Sequence, residues 1–267
     1  MRLHSIASKT LHDYGRRMAW WVLGLGATVG MQVAVYPSIA GQGGYQDMLE
    51  QMPDAMKAIF GVGSGIDAAS ASGYLQAEVF AFTAPLALLV FAIGIGGGLI
   101  GREEETGTLD LLLAYPVRRG SLVLQKFAAA AVLTCVLAAA LCVVVAVATT
   151  AADMDVAFVR LAAAMASVAA LGLFFCALAL LATCAWRRRG VAYGVAAAVG
   201  LVSFLVNSLA AVTDVLDPLR PLSPFRWAQG FEPLRTGFDA ALLVVLAATA
   251  AMVWLATAAF ERRDVAT

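Results

Sequence analysis

The chain has 267 residues, of which 61% are hydrophobic and 13% are charged, and its net charge is zero. Soluble domains carry about 25% charged residues, so this composition excludes an ordinary soluble globular protein. A neutral chain also gives no electrostatic reason to expect nucleic acid as a partner.

Six apolar runs approach or exceed the ~20 residues that a helix needs to cross a ~30 Å hydrocarbon core. They are residues 18–36, 76–100, 127–150, 158–184, 191–211 and 240–260. The four cysteines lie inside these runs without Cys-x-x-Cys spacing, and we interpret them as packing residues rather than metal ligands. We therefore expect an all-α integral membrane protein, with a single six-helix domain over residues 1–267.

Lysines and arginines predict how these spans are oriented, because cytoplasmic loops of membrane proteins carry an excess of both. Thirteen of the eighteen would lie on the same side of the membrane as both termini. The five on the other side are Lys57, Arg160, Arg220, Arg226 and Arg235. Both termini are therefore predicted to be cytoplasmic.

Residues 1–17 precede the first span and have an amphipathic pattern. Leu3, Ile6, Leu11 and Tyr14 fall on one helical face, and basic residues lie off it. This pattern predicts a helix that lies in the cytoplasmic interface with its apolar face in lipid. The alternative is a short solvated tail whose basic residues set the topology.

Two longer loops, residues 37–75 and 212–239, would lie on the outer side. In the first, Met48, Met52 and Met56 recur every four residues. That spacing predicts a helix with an apolar stripe that packs on the spans or contacts substrate. The second loop contains four prolines, which predict short re-entrant or interfacial helices that cap the outer side.

The inner loop over residues 101–120 is the most distinctive part of the chain and reads GREEETGTLDLLLAYPVRRG. Thr106 or Gly107 is predicted to cap the start of a short leucine-rich helix, with Asp110 in its first turn. Pro116 ends that helix. Such a helix would dock in a groove of a soluble partner, or it would staple a solvated turn to the membrane; the residues alone leave both open.

Glycine pairs at G-x-x-x-G spacing precede this loop, namely Gly94 with Gly98 and Gly97 with Gly101. They predict close helix packing inside one subunit rather than a dimer seam.

The spans hold hardly any ionisable residues; Glu78 lies near the outer end of the second span, and the deep polar residues are neutral. Ion-coupled carriers and intramembrane enzymes keep acids, bases or nucleophiles at membrane depth, so both classes are disfavoured. No G-x-x-x-x-G-K-[ST] motif occurs, so the chain is not expected to hydrolyse ATP itself. Energy for uphill transport would have to come from another protein.

The inner loop resembles that of type-2 ATP-binding-cassette (ABC) transporter permeases. In that family an acidic run, a Gly-Thr-Leu-like step, a leucine-rich helix, a Pro-Val-like turn and basic residues follow one another, as they do between Glu103 and Arg119. Residues 53–61 and 73–75 also look like the branch that includes antibiotic and multidrug exporters.

The resemblance implies that this loop forms a coupling helix, which contacts a separate ATPase subunit. The coupling residues that it implies are Glu103, Glu104, Glu105, Thr106, Gly107, Thr108, Leu109, Asp110, Leu112 and Leu113. It further implies two ABC ATPase copies that hold ATP and Mg²⁺, and a second permease copy or paralogue. The chain itself would bind no cofactor directly and catalyse no reaction. It would be surrounded by lipid in the bacterial plasma membrane.

The function implied is export of a hydrophobic or amphipathic substrate, driven by ATP hydrolysed in the partner. Related ABC systems for sodium, copper-site maturation or gliding use similar permeases and are an alternative. A membrane anchor or sensor that docks a cytoplasmic partner on the same loop is another.

Overall fold

The computed structural model describes residues 6–39, 51–59, 70–109, 118–210, 212–230 and 232–262, and within these ranges the chain is helical and contains no strand. The α-helices are α1 (Ile6–Ile39), α2 (Asp54–Ile59), α3 (Ala71–Leu75), α4 (Ala84–Glu105), α5 (Arg119–Ala151), α6 (Phe158–Trp186), α7 (Arg189–Leu209), α8 (Pro224–Gln229), α9 (Pro233–Thr236) and α10 (Ala241–Glu261). A π-helical segment, Gln76–Thr83, joins α3 to α4, and a 3₁₀ segment, Asp214–Leu222, precedes α8.

Six stretches of the described chain are long and apolar enough to cross a membrane, and each overlaps one of the predicted spans. They are Arg17–Ile39, Ala71–Glu105, Arg119–Ala151, Phe158–Trp186, Arg189–Leu209 and Ala241–Glu261. The prediction of an all-α protein with six membrane helices is therefore confirmed.

Helix α6 lies at the centre of the bundle and packs against α4, α5, α7 and α10. In its most apolar stretch 78% of the residues are buried, against 17% in the corresponding stretches of α1 and α7. A helix that is apolar on all sides, such as α6, suits a buried position at the centre of a bundle. The peripheral helices instead leave large apolar side chains exposed, among them Trp20, Met31 and Leu201.

Helix α1 unites two elements that were predicted separately. The predicted boundary near residue 17 is absent, and the helix continues unbroken from Ile6 to Ile39. With a rise of 1.5 Å per residue it is ~51 Å long, well beyond the thickness of a hydrocarbon core. Leu11 and Tyr14, which were predicted to face lipid, pack against the protein core. That part of the prediction is wrong, because a helical period identifies an apolar face without saying what covers it.

The helix predicted in the first outer loop is shorter than its methionine spacing suggested. Residues 51–53 are not helical, and α2 starts at Asp54. Pro53 disfavours the helical conformation at Met52, which explains the later start. Met48 lies outside the described residues. Helix α2 packs against α7, in agreement with the predicted contact between this loop and the spans.

The second outer loop consists of short pieces, as its prolines predicted: the 3₁₀ segment, α8 and α9. It is joined to the second span through Gln229, whose side-chain amide donates to the carbonyl of Phe80 at 3.0 Å. Phe80 belongs to the π-helical segment. Gln32 of α1 approaches the same segment and donates to the Thr83 hydroxyl at 3.0 Å. The π-helical segment is thus held from two sides.

Candidate functional site

Helix α4 ends in a Schellman motif built by the residues that were predicted to begin the coupling helix. Gly107 adopts a left-handed conformation with φ of 66°. The Thr108 amide donates to the Glu103 carbonyl at 2.9 Å, and the Gly107 amide donates to the Glu104 carbonyl at 3.2 Å. Thr106 is the last cap residue of α4. The prediction that Thr106 or Gly107 starts a helix is wrong, because Gly107 supplies the left-handed residue that ends α4 and helical backbone resumes only at Leu109.

The last residues of this motif form a short exposed connection, which we call the exposed step. It consists of Thr106, Gly107 and Thr108, which are all exposed, and helical backbone resumes at Leu109. Leu109 is half-buried and packs against the protein's own core. The remaining predicted coupling residues, Asp110, Leu112 and Leu113, lie outside the described residues.

The three consecutive glutamates at the end of α4 each pair with a base of the same chain. The pairs are Glu103 with Lys126, Glu104 with Arg187 at 3.6 Å, and Glu105 with Arg189 at 3.2 Å. Lys126 belongs to the first turns of α5, Arg187 follows the end of α6, and Arg189 is the first residue of α7. The acidic run, which was predicted to contact an ATPase, therefore also links four helices of the permease to one another.

Lys126 is the residue of this cluster that sequence reasoning missed. The sequence analysis counted it only among the thirteen basic residues on the side of the termini, but it lies within α5 and its side chain is only 4% exposed. Its ammonium contacts the Glu103 carboxylate and donates to the Leu99 carbonyl on α4. A lysine that interrupts an apolar run was the available signal, since a buried lysine needs a charged or polar partner.

The other two pairs are more exposed. The side chain of Arg187 is 56% exposed and that of Glu105 is 51% exposed. Exposed pairs of this kind contribute about 0–1 kcal/mol and weaken as salt is added. The three ion pairs are therefore unequal in strength.

The turn between α6 and α7 is held against α4 by its backbone. Arg187 adopts a left-handed conformation with φ of 58°, and its amide donates to the Thr183 carbonyl at 3.0 Å. The Thr183 hydroxyl in turn lies 3.3 Å from the Gly97 carbonyl, to which it donates. Arg187 and the following residues are thereby positioned beside the end of α4.

Glycines of α4 allow this close approach. A Cβ at Gly96 would collide with the backbone carbonyl of Cys176 on α6. Gly97 faces the ring of Tyr193, and a Cβ at Gly101 would lie 3.0 Å from the Cβ of Arg189. Packing inside one subunit is therefore confirmed for Gly97 and Gly101.

Tyr14 of α1 also reaches this region, because a Cβ at Gly98 would lie 2.9 Å from its hydroxyl. Burial raises the pKa of the Tyr14 phenol, so the side chain remains neutral. The guanidinium of Arg17 lies 5.7 Å from the centre of the Tyr14 ring.

A family model described as ABC-2 family transporter protein matches residues 5–265. The chain belongs to this family. A comparison with curated proteins gave no match. The protein is therefore a multi-pass membrane permease of the ABC-2 type, and the bacterial plasma membrane is the usual location of such proteins. Permeases of this family work with a separate ABC ATPase subunit and generally carry no ATPase site of their own.

This ABC-2 permease has an apolar cleft of about 510 Å³ between α5, α6 and α10. All of its lining residues are uncharged, and they include Cys135, Cys142, Phe158, Met165 and Leu242. Alanines of α5 and α6 form much of the wall, so the cleft exists because small side chains face each other across these helices. Its volume lies in the range of ~300–1,000 Å³ that is typical of ligand pockets.

Proposed function

We propose that this ABC-2 permease exports a hydrophobic or amphipathic substrate from the cell, using ATP that a separate subunit hydrolyses. The observation that carries the proposal is the exposed step Thr106 to Thr108, which projects from the capped end of α4 where the family places its ATPase contact. A partner that bound this step would be mechanically connected, through the capped end of α4, to the ion-pair cluster behind it.

The end of the bundle that carries this step also carries most of the basic residues. Ion pairs and contacts bring together the end of α4, the start of α5 and the turn between α6 and α7. Glu261 at the end of α10 lies against Gly120. The excess of lysine and arginine at this end supports a cytoplasmic location. ATP and Mg²⁺ would be held there by the ATPase subunit.

The least buried helices support assembly with a second permease. Helices α1 and α7 have the lowest share of buried residues in their apolar stretches and expose apolar side chains. A second copy or a paralogue packed on these helices, with two ATPase copies beneath, is the arrangement that we propose.

The cleft supports the proposed class of substrate. A site without charged groups gives no compensation for the desolvation of an ion, whereas it matches an apolar group by shape and by burial. This favours a hydrophobic or amphipathic molecule over sodium, the cargo of one alternative type of ABC system.

Co-purification tests the proposal. The permease is tagged, extracted in mild detergent and isolated, and a nucleotide-binding subunit is sought by mass spectrometry. We expect Leu112→Asp to reduce the retained ATPase by about tenfold, because it places a charge in a desolvated contact. Leu112→Met is the matched control and is expected to retain the partner. Reproducible absence of any nucleotide-binding subunit from the folded wild-type protein would favour an anchor or sensor.

A further inference from the structure

The three ion pairs at the end of α4 differ in burial. We propose that Lys126 is the positioning residue through which movement of the exposed step, Thr106 to Thr108, reaches α5 and the apolar cleft. The two outer pairs, made by Arg187 and Arg189, open and close during the same movement. This inference rests on the proposed function, because it requires an ATPase that moves this step.

Lys126 is attached to α4 at two levels. Its ammonium pairs with the carboxylate of Glu103 and donates to the carbonyl of Leu99, one helical turn earlier. Two contacts that are four residues apart fix the position of the lysine along α4 as well as its distance from it. Because the ammonium is buried, separating it from the Glu103 carboxylate would leave unpaired charges inside the protein, which costs free energy. The pair therefore persists as α4 moves.

The ion pairs between α4 and the turn from α6 to α7 are more exposed than the pair that Lys126 makes. The pairs that involve Arg187 and Arg189 span 3.6 Å and 3.2 Å and are partly exposed to solvent. Water and salt can replace their contacts at little cost. Nearer the bundle centre, close packing extends along α4 from Gly96, which meets the backbone of Cys176, to Gly101, which meets Arg189. We take this stretch as the pivot, and the exposed pairs lie beyond it, at the end of α4.

Helix α5 leads from the ion pair to the cleft. Cys135, the first cleft-lining residue of α5, lies nine residues after Lys126, which corresponds to ~14 Å along one continuous helix. The same helix supplies four further lining residues: Ala138, Ala139, Cys142 and Val143. A displacement of α5 at Lys126 would therefore change the shape of the cleft wall.

The test uses the assembled permease–ATPase complex in lipid nanodiscs. A variant that keeps Cys135 as its sole cysteine carries an environment-sensitive fluorophore at that exposed position. We expect the nucleotide-dependent change in its emission to fall about tenfold in Lys126→Gln, together with the stimulation of the ATPase by the permease. The melting temperature and the amount of bound ATPase report separately on folding and on assembly.

Two kinds of variant are compared with Lys126→Gln: one in which the charges of the buried pair are exchanged, and two in which an exposed pair is removed. The exchange Glu103→Lys with Lys126→Glu restores the ion pair but leaves the Leu99 carbonyl without its donor, so it is expected to restore only part of both signals. Arg187→Gln and Arg189→Gln are expected to reduce them by no more than about twofold. If Lys126→Gln does not accumulate, Glu103→Leu with Lys126→Met removes the pair without stranding a charge and is expected to lose both signals.

Two results would overturn the inference: full emission change and stimulation in the assembled Lys126 variants, or an equal loss in the two arginine variants. Failure of the wild-type permease to retain an ATPase would instead refute the proposed function, so the two failures are distinguishable.

Discussion

Gly96 on α4 faces the carbonyl group of Cys176 on α6 without room for even one additional carbon atom. The two helices touch through their backbones at this point, which lets the side chains on either side interlock. Thr183, two turns further along α6, uses the proximity to donate a hydrogen bond to the Gly97 carbonyl. In a membrane, where lipid tails compete for apolar side chains, contact of this kind is a main source of helix association.

We expect Gly96→Ala to lower the free energy of unfolding by about 1–3 kcal/mol, because the added methyl group overpacks the contact between α4 and α6. Thermal unfolding in detergent measures the effect. Gly94→Ala is the matched control, since a Cβ at Gly94 meets no atom of the described chain within 4 Å. That variant is expected to be neutral or more stable by up to ~1 kcal/mol. Equal stability of the two variants would contradict the contact.

The left-handed conformation of Gly107 in the Schellman motif predicts that substitutions there weaken binding of the ATPase. Gly107→Ala forces an ordinary side chain into the left-handed conformation and is expected to cost about 1–2 kcal/mol locally. Gly107→Asn should cost less, because asparagine tolerates this conformation. Both changes leave the bundle intact, so retention of the ATPase in a pull-down should decrease in the order glycine, asparagine, alanine. The same retention in all three proteins would show that the shape of this step does not matter for binding.

The membrane helices could be predicted from the sequence because lipid imposes a simple rule on length and polarity. Every predicted span has a counterpart in the structure. The cap at Thr106 and Gly107 was assigned to the wrong helix, since glycine occurs both at the start of helices and just after their ends. The local sequence does not say on which side of the cap the regular backbone continues.

The ion-pair cluster could not be predicted, because its partners are distant in the sequence. Glu103 and Lys126 are separated by 23 positions, and Glu105 and Arg189 by 84. Counting basic residues placed Lys126 at the end of the bundle where the structure has it, but it did not predict that the side chain is buried. Only the packing of α4 against α5 shows that this one lysine of the cluster is buried.

The proposed orientation can be checked by labelling single cysteines from one side of the membrane. In a variant without the four native cysteines, Thr106→Cys and Asp155→Cys place exposed thiols at opposite ends of the bundle. In intact cells an impermeant maleimide is expected to label residue 155 alone, and after permeabilisation it should label both. Labelling of residue 106 in intact cells would reverse the orientation and exclude an ATPase contact at that loop.

The bond between Gln229 and the Phe80 carbonyl predicts that the outer loop stabilises the π-helical segment. Gln229→Ala removes a donor from the carbonyl of a buried residue, Phe80, and is expected to lower the free energy of unfolding by about 1 kcal/mol or more. Gln125→Ala is the matched control, because the Gln125 amide donates at 3.0 Å to the hydroxyl of Ser121, a residue of its own helix. Such a pair contributes about 0.2–0.5 kcal/mol.

Thermal unfolding distinguishes the two glutamine variants, and hydrogen exchange of the amides between residues 76 and 83 locates the effect. Faster exchange there is expected in Gln229→Ala alone, because that change, unlike Gln125→Ala, removes a hydrogen bond that the π-helical segment receives from another part of the chain. If both variants lose the same stability and exchange is unchanged, the outer loop only covers the bundle and does not hold the second span in its π-helical form.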